Sequence, residues 1–172
     1  LSTFKSRLES GHSKEITASI VDDVQDGPDK IYELMDCFFA DDWRLSQRAA
    51  WPVGIIGENH PQWMLPFMEQ MIAYLKTPKH DAVVRNTVRL WQNMEIPEGW
   101  QGEIFELCFG FVTTPNTPIA IKAFSITVCE NISKNYPELK EELILAIEDQ
   151  MEFGSPGVKN RGQKLLKKLK KK

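Results

Sequence analysis

Apolar residues recur along this chain at intervals of three and four, the period of a helix with one buried face. In residues 65–75, Leu65, Met68, Ile72 and Leu75 fall on one side, and 104–112, 120–132 and 139–151 follow the same rule. The two-residue alternation of a half-buried strand is nearly absent. Prolines 28, 61, 78, 97, 115, 118, 137 and 156 stand between the periodic stretches or in their first turns, where a missing N–H costs nothing. The pattern predicts helices over about 12–25, 28–40, 43–58, 61–76, 80–94, 98–113, 118–135, 137–152 and 156–170. Connections of a few residues require neighbouring helices to fold back on one another.

The helices repeat. The segments Ser46-Gln47-Arg48-Ala49-Ala50, Val84-Arg85-Asn86-Thr87-Val88, Ile121-Lys122-Ala123-Phe124-Ser125 and Val158-Lys159-Asn160-Arg161-Gly162 each open a helix after a short polar loop. Their second residues stand at 47, 85, 122 and 159, steps of 38, 37 and 37. Three residues past each comes a small or branched residue (Ala50, Val88, Ser125, Gly162) that lets the helix approach its partner. Three further on comes an apolar one: Val53, Trp91, Val128, Leu165. A non-repetitive bundle with evenly spaced loops is the alternative, but position and residue type recur together. One such pair cannot bury its apolar stripe alone, whereas a stack of three or more can.

This motif resembles the HEAT repeat of the armadillo-like superfamily: an apolar first helix, a short loop ending in Val-Arg, and a second helix with a small residue one turn on. Leu65-Pro66 resembles the Leu-Pro start of first helices there. The step is shorter than the usual HEAT unit of about 40–47 residues, and Gln47 stands where a base is usual, with Arg48 beside it. The resemblance implies an all-α fold, an α-α superhelix. It would be a short right-handed solenoid of four hairpins (28–60, 61–97, 98–136, 137–172) behind an N-terminal cap (1–27), all in one domain over 1–172.

Charge is uneven. The net charge is −3, but the six lysines of 164–172 leave −9 on residues 1–163, so the body is acidic and the tail basic. An acidic body disfavours DNA binding by the whole surface. The Lys-rich tail reads as a solvated helix end, lysine being favoured at the negative pole of the helix dipole. Cys37, Cys108 and Cys129 form no CxxC pair and lie in apolar stretches, the pattern of reduced core thiols in a cytoplasmic protein. No apolar run reaches the length of about 18 residues of a membrane span. The first seven residues lack the order of a secretory signal; with no initiator Met, native sequence is expected ahead of Leu1.

In HEAT-like stacks the second helices line the concave face. The resemblance places two rows there: Trp51, Arg89, Ile126 and Gln163, and a ladder of bases, Arg48, Arg85, Lys122 and Lys159. The binding candidates are Arg48, Trp51, Arg85, Arg89, Lys122 and Lys159. The plainer expectation for the bases is that they tie adjoining repeats together through acids or loop carbonyls. Trp63 and Trp100, 37 residues apart, read as equivalent core side chains, and Pro52 is expected to bend its helix.

Catalytic patterns are missing. His12, His60 and His80 are scattered, no second His or Cys stands at metal spacing, and GxSxG, HExxH and GxGxxG do not occur. No catalytic residue, metal or cofactor is expected. The leading expectation is a non-catalytic scaffold for a protein or peptide partner. The alternative is nucleic-acid binding: Trp43-Arg44 followed by Arg48-Ala49-Ala50 resembles the repeat openings of the DNA alkylation repair glycosylases, which are themselves HEAT-like. That resemblance implies a catalytic acid in the second helices; these hold no Asp beyond Asp81 at a helix start, and only Glu58, Glu95 and Glu130 lie near their ends.

Overall fold

The computed structural model describes residues 3–154 and 156–171. Its contacts gather into two compact units, Leu1–Glu95 and Ile96–Lys172, taken in turn. Among the described residues there are ten α-helices and no strand, and no helix is long and apolar enough to cross a membrane.

In the first unit, α1 (Phe4–Ser10) and α2 (Lys14–Asp26) are short helices started by hydroxyl caps. The Thr3 hydroxyl accepts from the Ser6 N–H at 3.1 Å, and that of Ser13 from the Ile16 N–H at 3.2 Å. A 3-10 turn at Pro28–Lys30 leads into α3 (Ile31–Phe38), which pairs with α4 (Trp43–Asn59), capped by Asp42. A 3-10 segment, Pro61–Phe67, runs into α5 (Met68–Leu75), and α6 (Asp81–Trp91) follows. The second helices form the spine of the unit: α4 packs on α2 on one side and on α6 on the other. Gly54 and Gly57 of α4 permit the close approach of α6, for a Cβ at Gly57 would stand 3.1 Å from both Cβ and Cδ2 of Leu90.

Helix α1 lies outside the expected set, and the N-terminal cap is therefore two helices rather than one over 12–25. Its apolar signal is Phe4 and Leu8 alone, both 2% exposed, too few for a periodicity read over 11–18 residues. A second difference lies in 61–75. Two prolines, at 61 and 66, remove backbone donors, and the first two turns wind as 3-10 helix with three residues per turn. The buried face consequently runs through Met64, Phe67, Met68, Met71, Ile72 and Leu75, and Leu65 is left outside. Pro52, by contrast, sits buried within an unbroken α4.

In the second unit, α7 (Glu98–Thr113) pairs with α8 (Ile119–Ser133) and α9 (Pro137–Glu152) with α10 (Pro156–Leu169), while α9 also packs on α7 and α8. The repeat positions fall where the spacing puts them. Ala50, Val88 and Ser125 have no exposed surface and Gly162 is buried; a Cβ there would run into the Met151 side chain. Val53, Trp91 and Val128 are buried one turn on. Trp63 and Trp100 are not core residues. Each is half-buried near the start of its segment, Trp63 stacked on His60 at 3.9 Å between ring centroids, while Trp91 is the fully buried tryptophan. The three cysteines are free and buried. Burial pushes the thiols of Cys37 and Cys108 up to about 11 and about 12, and that of Cys129 up as well.

Candidate polar pocket between second helices

Because α4 and α6 carry the same repeat in the same register, residues at matching positions come side by side. Gln47 and Trp51 of α4 face Arg85 and Arg89 of α6, each pair separated by one helical turn. Together with Ala82, Asn86 and His12 from the α1–α2 connection they line a pocket of about 330 Å³. Its electrostatics follow from how each side chain is held. The Arg89 guanidinium grips Glu58 with two hydrogen bonds, Nε donating to Oε1 at 2.6 Å and Nη2 to Oε2 at 3.1 Å, the bidentate geometry that fixes an arginine in place. Nη1 takes no part in that pair. Asn86, nearly buried, donates from Nδ2 to the Ala82 carbonyl at 2.8 Å. Arg85 is exposed and, among the described residues, has no charged or hydrogen-bonded partner. Trp51 is half-buried, with the His12 ring tilted across it at 5.4 Å. No carboxylate lines the pocket itself.

Three of the six candidates, Trp51, Arg85 and Arg89, are thus brought together. Arg48 is directed elsewhere. One residue past the strict repeat position, it is rotated about 100° around the helix, and its Nη1 donates to the carbonyls of Leu8 at 2.7 Å and Glu9 at 3.0 Å. It ties α4 to the negative end of α1. The residue that takes the pocket position is Gln47. His12 and Asn86 also went unread in the sequence: nothing in the local pattern marks a loop histidine that folds across a tryptophan 39 positions later.

Lys122 belongs to the second unit and lines a different, largely apolar groove of about 310 Å³, whose walls include Val112, Ile126, Ile147, Met151 and Leu165. Its ammonium donates to Gln150 Oε1 at 2.7 Å and to the Pro115 carbonyl at 3.3 Å, tying α8 to α9 and to the preceding loop, and burial lowers its pKa. Lys159 is exposed on α10. The tail lysines are partly engaged: Lys168 pairs with Glu130 and Lys170 with Glu148.

All three histidines lie against tryptophans, His12 on Trp51, His60 on Trp63 and His80 on Trp43. His80 also caps α6, its Nδ1 accepting from the Ala82 N–H at 3.1 Å. Among the described residues no three His, Cys, Asp or Glu side chains gather closely enough to hold a metal ion. In comparisons with known proteins, the family model described as a HEAT repeat domain matches residues 4–169. No curated protein and no solved structure matches.

Proposed function

Because the chain belongs to the HEAT repeat domain family, we propose that it is a non-catalytic scaffold whose second helices α4 and α6 hold a segment of a protein partner. HEAT repeat proteins are in general scaffolds that mediate protein interactions. The observation that carries the reading is the pocket of Gln47, Trp51, Arg85 and Arg89. It combines an aromatic wall, a rigidly held arginine and a free one, the residue types enriched where proteins meet. Glu58 offsets the charge of Arg89, and Arg48 is engaged by the carbonyls of α1, whereas affinity for a phosphate backbone depends on neutralising several phosphates in succession. That supports a protein segment over nucleic acid.

Affinity capture with the full chain, set against the double variant Trp51→Ala/Arg85→Glu, tests the reading. Arg85 is exposed and Trp51 lies at the rim of the core, half-buried, so folding is expected to survive, which circular dichroism checks. A partner lost by the variant supports the proposal; an identical set of partners on both removes this face as the binding surface.

A further inference from the structure

The pocket does more than offer a generic contact. We propose that it receives the carboxylate of an aspartate or glutamate in the bound segment, making the preferred partner a peptide with an isolated acidic residue. This rests on the scaffold reading above and assigns the chemistry of that same site.

The lining is rich in donors and has no negative group of its own. Arg89 is held from behind by Glu58 through Nε and Nη2, which leaves the Nη1 hydrogens unused in that pair. Glu58 therefore sets the orientation of Arg89 and offsets its charge. Arg85, one turn earlier on α6, supplies the uncompensated positive charge. Across the pocket, Gln47 presents an amide able to donate or accept, and Trp51 gives a flat apolar wall for the chain flanking the acid. Asn86 is tied to the Ala82 carbonyl and holds its own position. A carboxylate has two oxygens in one plane and suits two guanidinium groups one turn apart.

A phosphate backbone fits less well. Residues 1–95 carry ten Lys and Arg against fourteen Asp and Glu, so the unit as a whole repels a polyanion. The attraction is confined to one pocket with one uncompensated charge, enough for a single acid.

The test is selection of random dodecamer peptides displayed on phage against the full chain, followed by titration of the selected peptides. Enrichment of one Asp or Glu position is expected. Its replacement by Asn or Gln, or Arg85→Gln in the protein, should weaken binding about tenfold or more. Lys30→Gln, which removes an exposed charge that is no part of the pocket lining, should change little. Selection on Arg85→Glu should yield peptides with Lys or Arg at that position, an exchange that a merely structural role would not produce. Peptides selected without an acidic preference would overturn this inference and leave the scaffold reading standing. Failure to select any peptide would count against both. A twelve-nucleotide single-stranded DNA that binds more tightly than any peptide and is lost with Arg85→Gln would overturn it in favour of nucleic acid.

Discussion

Two glycines in helix interiors should respond oppositely to the same substitution. In an exposed helix position, Gly→Ala gains about 1 kcal/mol because alanine has less backbone freedom to lose on folding. Gly102, in α7, has open space around its missing Cβ, so Gly102→Ala should keep that gain. Gly57, in α4, lies where α6 crosses. An added Cβ would stand 3.1 Å from Cβ and Cδ2 of Leu90 and 3.3 Å from Cγ of Met64, both residues without exposed surface. The Leu90 Cβ moves only with the backbone of α6, so relief requires the helices to separate by a few tenths of an ångström. Overpacking of this kind costs about 1–3 kcal/mol. Set against the intrinsic gain, Gly57→Ala should be destabilising by about 1 kcal/mol, and the two variants should differ by about 2 kcal/mol. Urea unfolding followed by circular dichroism at 222 nm reads both. If Gly57→Ala proves as stabilising as Gly102→Ala, the close contact of α4 and α6 is wrong, and with it the pocket that depends on their register.

Three further outcomes are expected. Arg7 pairs with Asp23, joining α1 to α2, and the hydrogen bond from Arg7 holds the Asp23 carboxyl below its ordinary value of 3.8. A depressed carboxyl pKa gives stability that is present above 3.8 and lost as pH falls through the lower folded value, so Asp23→Asn should flatten the acid limb of a thermal unfolding profile; an unchanged limb refutes the pairing. For the thiols the sign reverses. With folded values near 11 and 12 for Cys37 and Cys108 against 9.0 for a free thiol, stability should decline from pH 9 upward, and Ellman's reagent at pH 8 should react slowly until denaturant is added. Rapid labelling of the native chain would contradict their burial. Finally, a double-mutant cycle between Glu58→Gln and Arg89→Gln should give a coupling of about 0.5–1 kcal/mol in stability, small because Arg89 is 43% exposed and solvent screens the pair; zero coupling would mean that Arg89 is not held.

How much of this could be read from the chain depended on the kind of signal. Helices α7 to α10 are legible nearly to their ends because each has about four turns, a proline at its start and an apolar stripe long enough to show its period. Helix α1 has two turns and two apolar residues, Phe4 and Leu8. Its definition comes from tertiary contact, α1 packing on α3 and α4. The Pro61–Phe67 segment defeated the reading for another reason. A period of 3.6 carried across Pro61 and Pro66 puts Leu65 on the buried side, whereas the three-residue turns found there face Leu65 outward and Met64 inward. Trp63 and Trp100 misled because equal spacing marks equivalent position without saying whether that position is in the core or at its rim.

The site separates the two scales of information most clearly. Spacing of 37–38 residues fixes which positions on α4 and α6 correspond, and Trp51, Arg85 and Arg89 meet as that correspondence requires. Residue type points to Arg48, but register points to Gln47, and it is Gln47 that lines the pocket. In a helix a shift of one residue is a rotation of about 100°, enough to carry a guanidinium from the pocket to the end of α1. Where repeat register and chemical similarity disagree, the register decides where a side chain points, and chemistry only decides what it does there. The same rule bears on the acid-binding proposal: moving a positive charge from 48 to 47 by the double change Gln47→Arg/Arg48→Gln should add a third guanidinium to the pocket and tighten acidic peptides, while loosening α1 from α4. If that exchange leaves peptide affinity unchanged and α1 still protected from hydrogen exchange, the alignment of the two helices is not what brings these residues together.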